Sequence, residues 1–196
     1  MQAIQTPYYT PEAYLSLESE AQERHEYIDG EIIPMVGGLP NHNLIIGNLF
    51  TALNLALKRQ PYYVFVTDQR LWIPQQRIYT YPDVMVIAGE IGLQAGRQDT
   101  VTNPLMIAEV LSASTEGYDR GEKFQAYRTI ASFQEYVLIS QDKMQVEVYQ
   151  KTSNQQWLLS EWQGREAVFS LASFSFSLAL EDLYEKVQGF GENQKV

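Results

Sequence analysis

The chain contains no cysteine and only two histidines in 196 residues. That excludes a disulfide framework, thiolate metal sites and a histidine-rich metal cage. No apolar stretch approaches the roughly 20 residues that span a bilayer, and no charged-then-apolar leader opens the sequence. A cytoplasmic, soluble protein with no membrane partner is the expectation. Basic residues are also scarce, with 14 Lys and Arg against 24 Asp and Glu and a net charge of -10. Such a balance counts against strong non-specific binding to nucleic acid through phosphate neutralisation. A local groove can still differ in sign from the whole molecule, and a divalent cation would offset acids clustered at one site. Gly37-Gly38 is not followed by Gly-Lys-Ser/Thr, so it is a turn rather than a phosphate loop, and no Gly-x-Ser-x-Gly elbow supports a serine nucleophile.

What is present is ordinary globular material, 45% hydrophobic and 12% aromatic with 13 tyrosines. One domain over residues 1–190 is expected, with 191–196, and Phe190 beside them, as a frayed tail. Thr10-Pro11-Glu12 reads as the start of a short helix running to about Ala21. Asp29-Gly30, between His25-Glu26-Tyr27-Ile28 and Glu31-Ile32-Ile33-Pro34-Met35, is a strong hairpin signal. Helical spacing of Leu44, Ile45, Leu49, Leu53 and Leu57 predicts a long helix from Asn41 to about Lys58. Short β-branched or aromatic runs at Tyr62 to Thr67, Arg70 to Ile73, Asp83 to Ile87, Leu105 to Leu111 and Glu135 to Ile139 predict the strands of a mixed sheet. A second helix from about Tyr118 to Ala131, strands at Gln145 to Tyr149 and Trp157 to Glu161, and a helix near Leu180 to Val187 complete a mixed α/β, or α+β, domain. Glu147, on an alternating strand, reads as a surface acid.

Four places in the chain carry candidate chemistry. Asp83 sits at a strand entrance after Tyr81-Pro82, where it is either a turn aspartate or a carboxylate pointing out of the sheet end. Glu109 lies in Leu105-Met-Ile-Ala-Glu-Val-Leu111, the most apolar run of the chain, where an unpartnered charge is costly to bury. Its alternatives are an exposed sheet face, a basic partner, or a cation shared with a second acid. Asp119, Lys123 and Tyr127 recur every four residues and share one helix stripe, which either solvates the helix or lines a cleft. Asn41, His42 and Asn43 read as a capping cluster, with His42 a supporting ligand or base as the alternative.

Taken together, Tyr-Pro-Asp83-Val, Ala-Glu109-Val-Leu-Ser-Ala-Ser-Thr, Asp119-Arg-Gly-Glu-Lys123 with Tyr127, and His-Glu26-Tyr-Ile-Asp-Gly30-Glu ahead of Pro-Asn-His42 resemble the Uma-two family of restriction endonucleases. That family is abundant in cyanobacteria and belongs to the PD-(D/E)xK nuclease superfamily. The resemblance spans about Tyr9 to Tyr149. It implies a restriction-endonuclease-like core, a central mixed sheet flanked by helices with the site at one sheet edge. It also implies that Asp83 and Glu109 hold Mg2+ or Mn2+ and that Glu26 completes the site. The superfamily lysine would fall at Leu111, where it is absent, and Lys123 from the following helix is the matching candidate. The resemblance further implies a DNA endonuclease hydrolysing phosphodiester bonds, and a homodimer. The alternative is a catalytically inactive homodimeric binding module that keeps the fold.

Overall fold

Thr10 accepts a hydrogen bond from the Ala13 N–H at 3.2 Å, and with Pro11 in the first turn it starts α1 (Pro11–Glu20) as the sequence predicts. The computed structural model describes residues 7–153 and 156–189. The expected tail at 190–196 lies outside the described residues. Next come β1 (His25–Ile28) and β2 (Glu31–Pro34), antiparallel, around Asp29 and Gly30 at φ of 40° and 107°. Glycine is required at the second position, since a Cβ there would lie 2.2 Å from the Tyr8 ring.

The long helix α2 (Pro40–Ala56) buries Ile45, Ile46, Leu49 and Leu53. It packs against β3 (Tyr62–Val66), a strand that is followed by β4 (Arg70–Ile73), β5 (Ile78–Thr80), β6 (Val84–Ala88), β7 (Thr100–Val101) and β8 (Met106–Leu111). A helical segment then runs as α3 (Glu116–Tyr118), a π turn (Asp119–Lys123) and α4 (Phe124–Tyr127). It is shorter than the regular helix expected to Ala131, and its middle is widened by the π turn, a distortion frequent at functional sites. The chain continues through β9 (Glu135–Ser140), β10 (Gln145–Lys151), β11 (Trp157–Gln163), β12 (Val168–Leu171), β13 (Phe176–Ala179) and α5 (Leu180–Leu183).

The strands do not form one sheet as expected. They divide into a six-stranded sheet, β11-β10-β9-β8-β6-β3, a five-stranded sheet, β2-β1-β5-β4-β7, and the hairpin β12-β13. The larger sheet is mixed, with β8 and β9 parallel and the other pairs antiparallel. β8 lies inside it, which explains its apolar run. Period-two alternation then sorts the core. Val84, Val86, Met106, Ala108 and Val110 face α2 and α5. Met85, Ile87, Ile107 and Leu111 face the other way, toward Leu71, Ile73, Tyr127 and Phe133. A third cluster stacks Tyr14, Tyr27 and Tyr79 between α1 and the smaller sheet, with Trp72 against Tyr79 at 4.1 Å.

Candidate active site

By alternation Glu109 shares the face of Ile107 and Leu111, and there it is 3% exposed. The antiparallel register of β6 and β8 pairs Val84 with Ala108, so one step further out Asp83 comes opposite Glu109. The two residues interlock. The Asp83 N–H donates to Glu109 Oε2 at 3.2 Å, and the Val110 N–H donates to Asp83 Oδ2 at 2.8 Å. Asp83 is therefore held by the partner strand's backbone where the ladder ends.

Lys123 reaches this acid from the π turn. Its Nζ lies 3.0 Å from Glu109 Oε1, 3.4 Å from Asp119 Oδ1 and 3.9 Å from Glu26 Oε1. Tyr127, one turn on, donates its hydroxyl to Glu109 Oε1 at 2.7 Å. The stripe of Asp119, Lys123 and Tyr127 thus turns inward, and its Asp-Lys pair is buried rather than solvated. Glu26 enters from β1 and accepts a hydrogen bond from Thr80 Oγ1. Tyr118 lays its ring 6.0 Å from Lys123 Nζ, and its buried hydroxyl has no partner among the described residues.

His42 corrects an expectation. The cap of α2 is Leu39, with no side-chain capping bond, and Pro40 opens the first turn. Asn41 instead donates to the Gln188 carbonyl and Asn43 to the Gly38 carbonyl. His42 continues the buried stripe of Ile46, Leu49 and Leu53 to the helix start, where its Nε2 lies 3.2 Å from Asp83 Oδ2. That spacing was the available signal. Thr80 and Tyr118 went unnoticed because a threonine at a strand end and a tyrosine in a helix carry no motif. Glu147, expected at the surface, is buried against the Arg120 guanidinium at 2.5 and 2.7 Å.

Burial pushes Glu109 up to about 8; the Lys123 ammonium opposes that rise, and the charges of Asp83 and Asp119 add to it. Burial pulls Lys123 down, but Glu109, Glu26 and Asp119 outweigh it and hold it well above its ordinary value. The two directions compete, since an ionised Glu109 helps keep the proton on Lys123. With three carboxyl groups around one amine, Lys123 stays an ammonium, while the raised Glu109 carboxyl holds its proton up to about pH 8. Burial also lowers His42, yet its contact with Asp83 leaves it raised.

Four acids therefore face one ammonium and one imidazole, so once Glu109 ionises two negative charges are in excess even with His42 protonated. Among the described residues no three Asp, Glu or His side chains form a ready-made metal cage. The donors present are nevertheless of the right kind for Mg2+ or Mn2+. Asp83 and Glu109 offer carboxylate oxygens from adjoining strands, and Mg2+ commonly binds through one or two carboxylates and keeps several waters.

The comparisons with known proteins agree with this architecture. A family model described as "Uma2: Putative restriction endonuclease" matches residues 11–181. The uncharacterised protein sll1609 of Synechocystis sp. is 48% identical over 162 residues, 83% of this chain and 92% of that one. A second uncharacterised Synechocystis protein, slr1290, is 34% identical over 180 residues, 91% of this chain and 92% of its own. The crystal structure of a "putative nuclease belonging to DUF820" from Anabaena variabilis superposes with a TM-score of 0.73 at 21% identity, covering 92% of this chain and 99% of that one. That likeness shows a shared fold, the restriction-endonuclease-like arrangement expected from the motifs. By the extent of these matches, the chain belongs to the Uma2 family.

Proposed function

We propose that this protein is a Mg2+- or Mn2+-dependent DNA endonuclease that hydrolyses phosphodiester bonds. The observation that carries the reading is the supply of the missing lysine. Leu111, two residues beyond Glu109, is buried, while the Lys123 ammonium stands 3.0 Å from Glu109. A lysine delivers a point charge on a long stem, so its backbone origin can change while its ammonium serves the same place. Membership of a family whose description is "Putative restriction endonuclease" supports the same reaction class.

In this reading Asp83 and Glu109 hold the cation, with Glu26 completing the acidic wall. When bound, such a cation offsets the charge of the phosphodiester and acidifies water. The protein's own groups prepare the place. The Val110 N–H and His42 fix Asp83, and Tyr127 with Lys123 fixes Glu109. Lys123, kept protonated, supplies a positive charge to the phosphate or to the attacking water, and Asp119 holds that ammonium at the helix stripe. DNA is the substrate and a homodimer the assembly that this reading expects.

A second reading, an inactive homodimeric module, is favoured by how many cations are already committed. Arg24, Arg70, Arg77, Arg97, Arg120 and Arg165 each pair with an acid. Cleavage of plasmid and linear DNA separates the two readings. Assays belong at low salt, because a protein of net charge -10 will bind a polyanion weakly and added salt weakens it further. Wild type should cut with Mg2+ or Mn2+ and stop with EDTA, and Asp83→Asn and Glu109→Gln should be inert while the exposed control Glu90→Gln cuts normally. Absence of cleavage by wild type on either substrate would favour the module.

A further inference from the structure

We propose that Glu18 is a positioning residue for the acidic site, clamping at once the two segments that carry Glu26 and Asp83. The proposal rests on the reading of Asp83 and Glu109 as the groups that hold the cation. Glu18 lies on α1, and its side chain is 4% exposed. Its Oε1 accepts hydrogen bonds from the His25 N–H at 3.1 Å and from the Tyr81 hydroxyl at 3.0 Å, and its Oε2 lies 3.0 Å from His25 Nδ1. His25 immediately precedes Glu26. Tyr81 is separated from Asp83 by Pro82 alone.

The placement makes the clamp stiff. Arg70 Nε donates to the Tyr81 hydroxyl at 2.8 Å, which directs the hydroxyl proton toward Glu18. The His25 carbonyl is held in turn by the Tyr14 hydroxyl at 2.6 Å. Proline fixes its own φ and restricts the residue before it, so a displacement of Tyr81 is passed on to Asp83 with little slack. On the far side of β1, Thr80 Oγ1 donates to Glu26, tying the same two segments a second time. Neighbours along a strand point to opposite faces, so His25 and Glu18 lie across the strand from Glu26. Glu18 acts only through the residues it holds. A buried carboxylate whose hydrogen bonds run to His25 on β1 and to Tyr81 just beyond β5 has a mechanical task.

The test uses the full chain and Mn2+ alone as the probe. Calorimetry gives the affinity, and the Val110 amide exchange rate, read by NMR without metal, reports how firmly Asp83 is seated, because that N–H donates to Asp83 Oδ2. Glu18→Gln should weaken Mn2+ binding about 10- to 100-fold, the usual cost of removing a group that supports a ligand, and should speed Val110 exchange. Tyr81→Phe removes only one hydroxyl and should move both readouts the same way, which keeps the test decisive where Glu18→Gln folds poorly. The control is Glu135→Gln, another buried carboxylate, which accepts the Ala172 and Ser173 N–H groups away from the site and should move neither readout. Unchanged affinity and exchange in Glu18→Gln and Tyr81→Phe would overturn the proposal, as would equal changes in Glu135→Gln. Faster Val110 exchange in both variants of a protein that binds no Mn2+ would support the clamp and refute the metal reading.

Discussion

Two cations three residues apart on the π turn, Arg120 and Lys123, each meet a buried acid, and the two clusters could hardly differ more. Arg120 makes a fork to Glu147 at 2.5 and 2.7 Å and turns its Nε to Glu116 at 2.8 Å. Both oxygens of Glu147 are engaged, and Gln145 adds a bond at 3.3 Å. Such a bidentate pair is geometrically closed. Lys123 offers one compact charge to Glu109, Asp119 and Glu26 together, with Asp83 interlocked beside them. That cluster has more negative charge than its cations neutralise. A closed ion pair supports the fold, whereas an open, under-neutralised one is where a divalent cation and a phosphate have something to do.

Removing an acid of the open cluster should have the largest effect. Asp83→Asn or Glu109→Gln should lower DNA hydrolysis by roughly 10²- to 10³-fold or more, the scale of losing a group that stabilises transition-state charge. Circular dichroism should show both variants folded. The counterpart Glu147→Gln should cut at the wild-type rate.

Next in size is the exchange of the two cations for methionine. Lys123→Met should lose cleavage by about 10²-fold while staying folded, because Glu109, already raised to about 8, can take a proton when its ammonium is gone. Arg120→Met should do the opposite. It leaves Glu147 buried without its fork, costing roughly 1–3 kcal/mol in chemical denaturation, with cleavage per folded molecule unchanged.

The pH dependence sharpens the contrast further. A carboxyl raised from 4.5 to about 8 in the folded state holds more protons there than in the unfolded chain throughout that window. Its contribution to stability therefore falls as pH rises from about 4.5 to about 8. Melting in EDTA should show a declining component over this range that disappears in Glu109→Gln. Mn2+ affinity should rise over the same range, because the acid must lose its proton to bind.

A smaller effect is expected at Gly38, where an added Cβ would come within 2.7 Å of His42 Nδ1. Gly38→Ala should shift His42 and loosen its contact with Asp83, visible as a changed imidazole resonance with the rest of the spectrum preserved.

Much of this could be read before the structure, for identifiable reasons. Glu109 stood out because a charge inside a six-residue buried strand is conspicuous in any apolar run. The Asp29-Gly30 turn, the α1 cap and the spacing of α2 are local signals, and each appeared where expected. The separation into two sheets was not legible, since pairings such as β1 with β5 join residues about fifty positions apart through no local pattern. β5 and β7, three and two residues long, are too short to show a period, whereas β12 and β13 do alternate, as in Phe174-Ser175-Phe176-Ser177-Leu178, and that signal went unread. The capping reading of Asn41-His42-Asn43 failed because that run resembles a cap while the actual helix start needed only Pro40, and His42 lies beside Asp83 instead. The Glu18 clamp was invisible for the same reason as the sheet division, being made by side chains that meet only in three dimensions.

In the proposed function the cluster of Asp83, Glu109 and Lys123 is completed by a divalent cation. Titration of the wild-type protein with Mn2+ in a calorimeter at pH 8 tests it directly. A single saturable site per chain that disappears in Asp83→Asn is the predicted result, and either no saturable binding or the same binding in Asp83→Asn would contradict it.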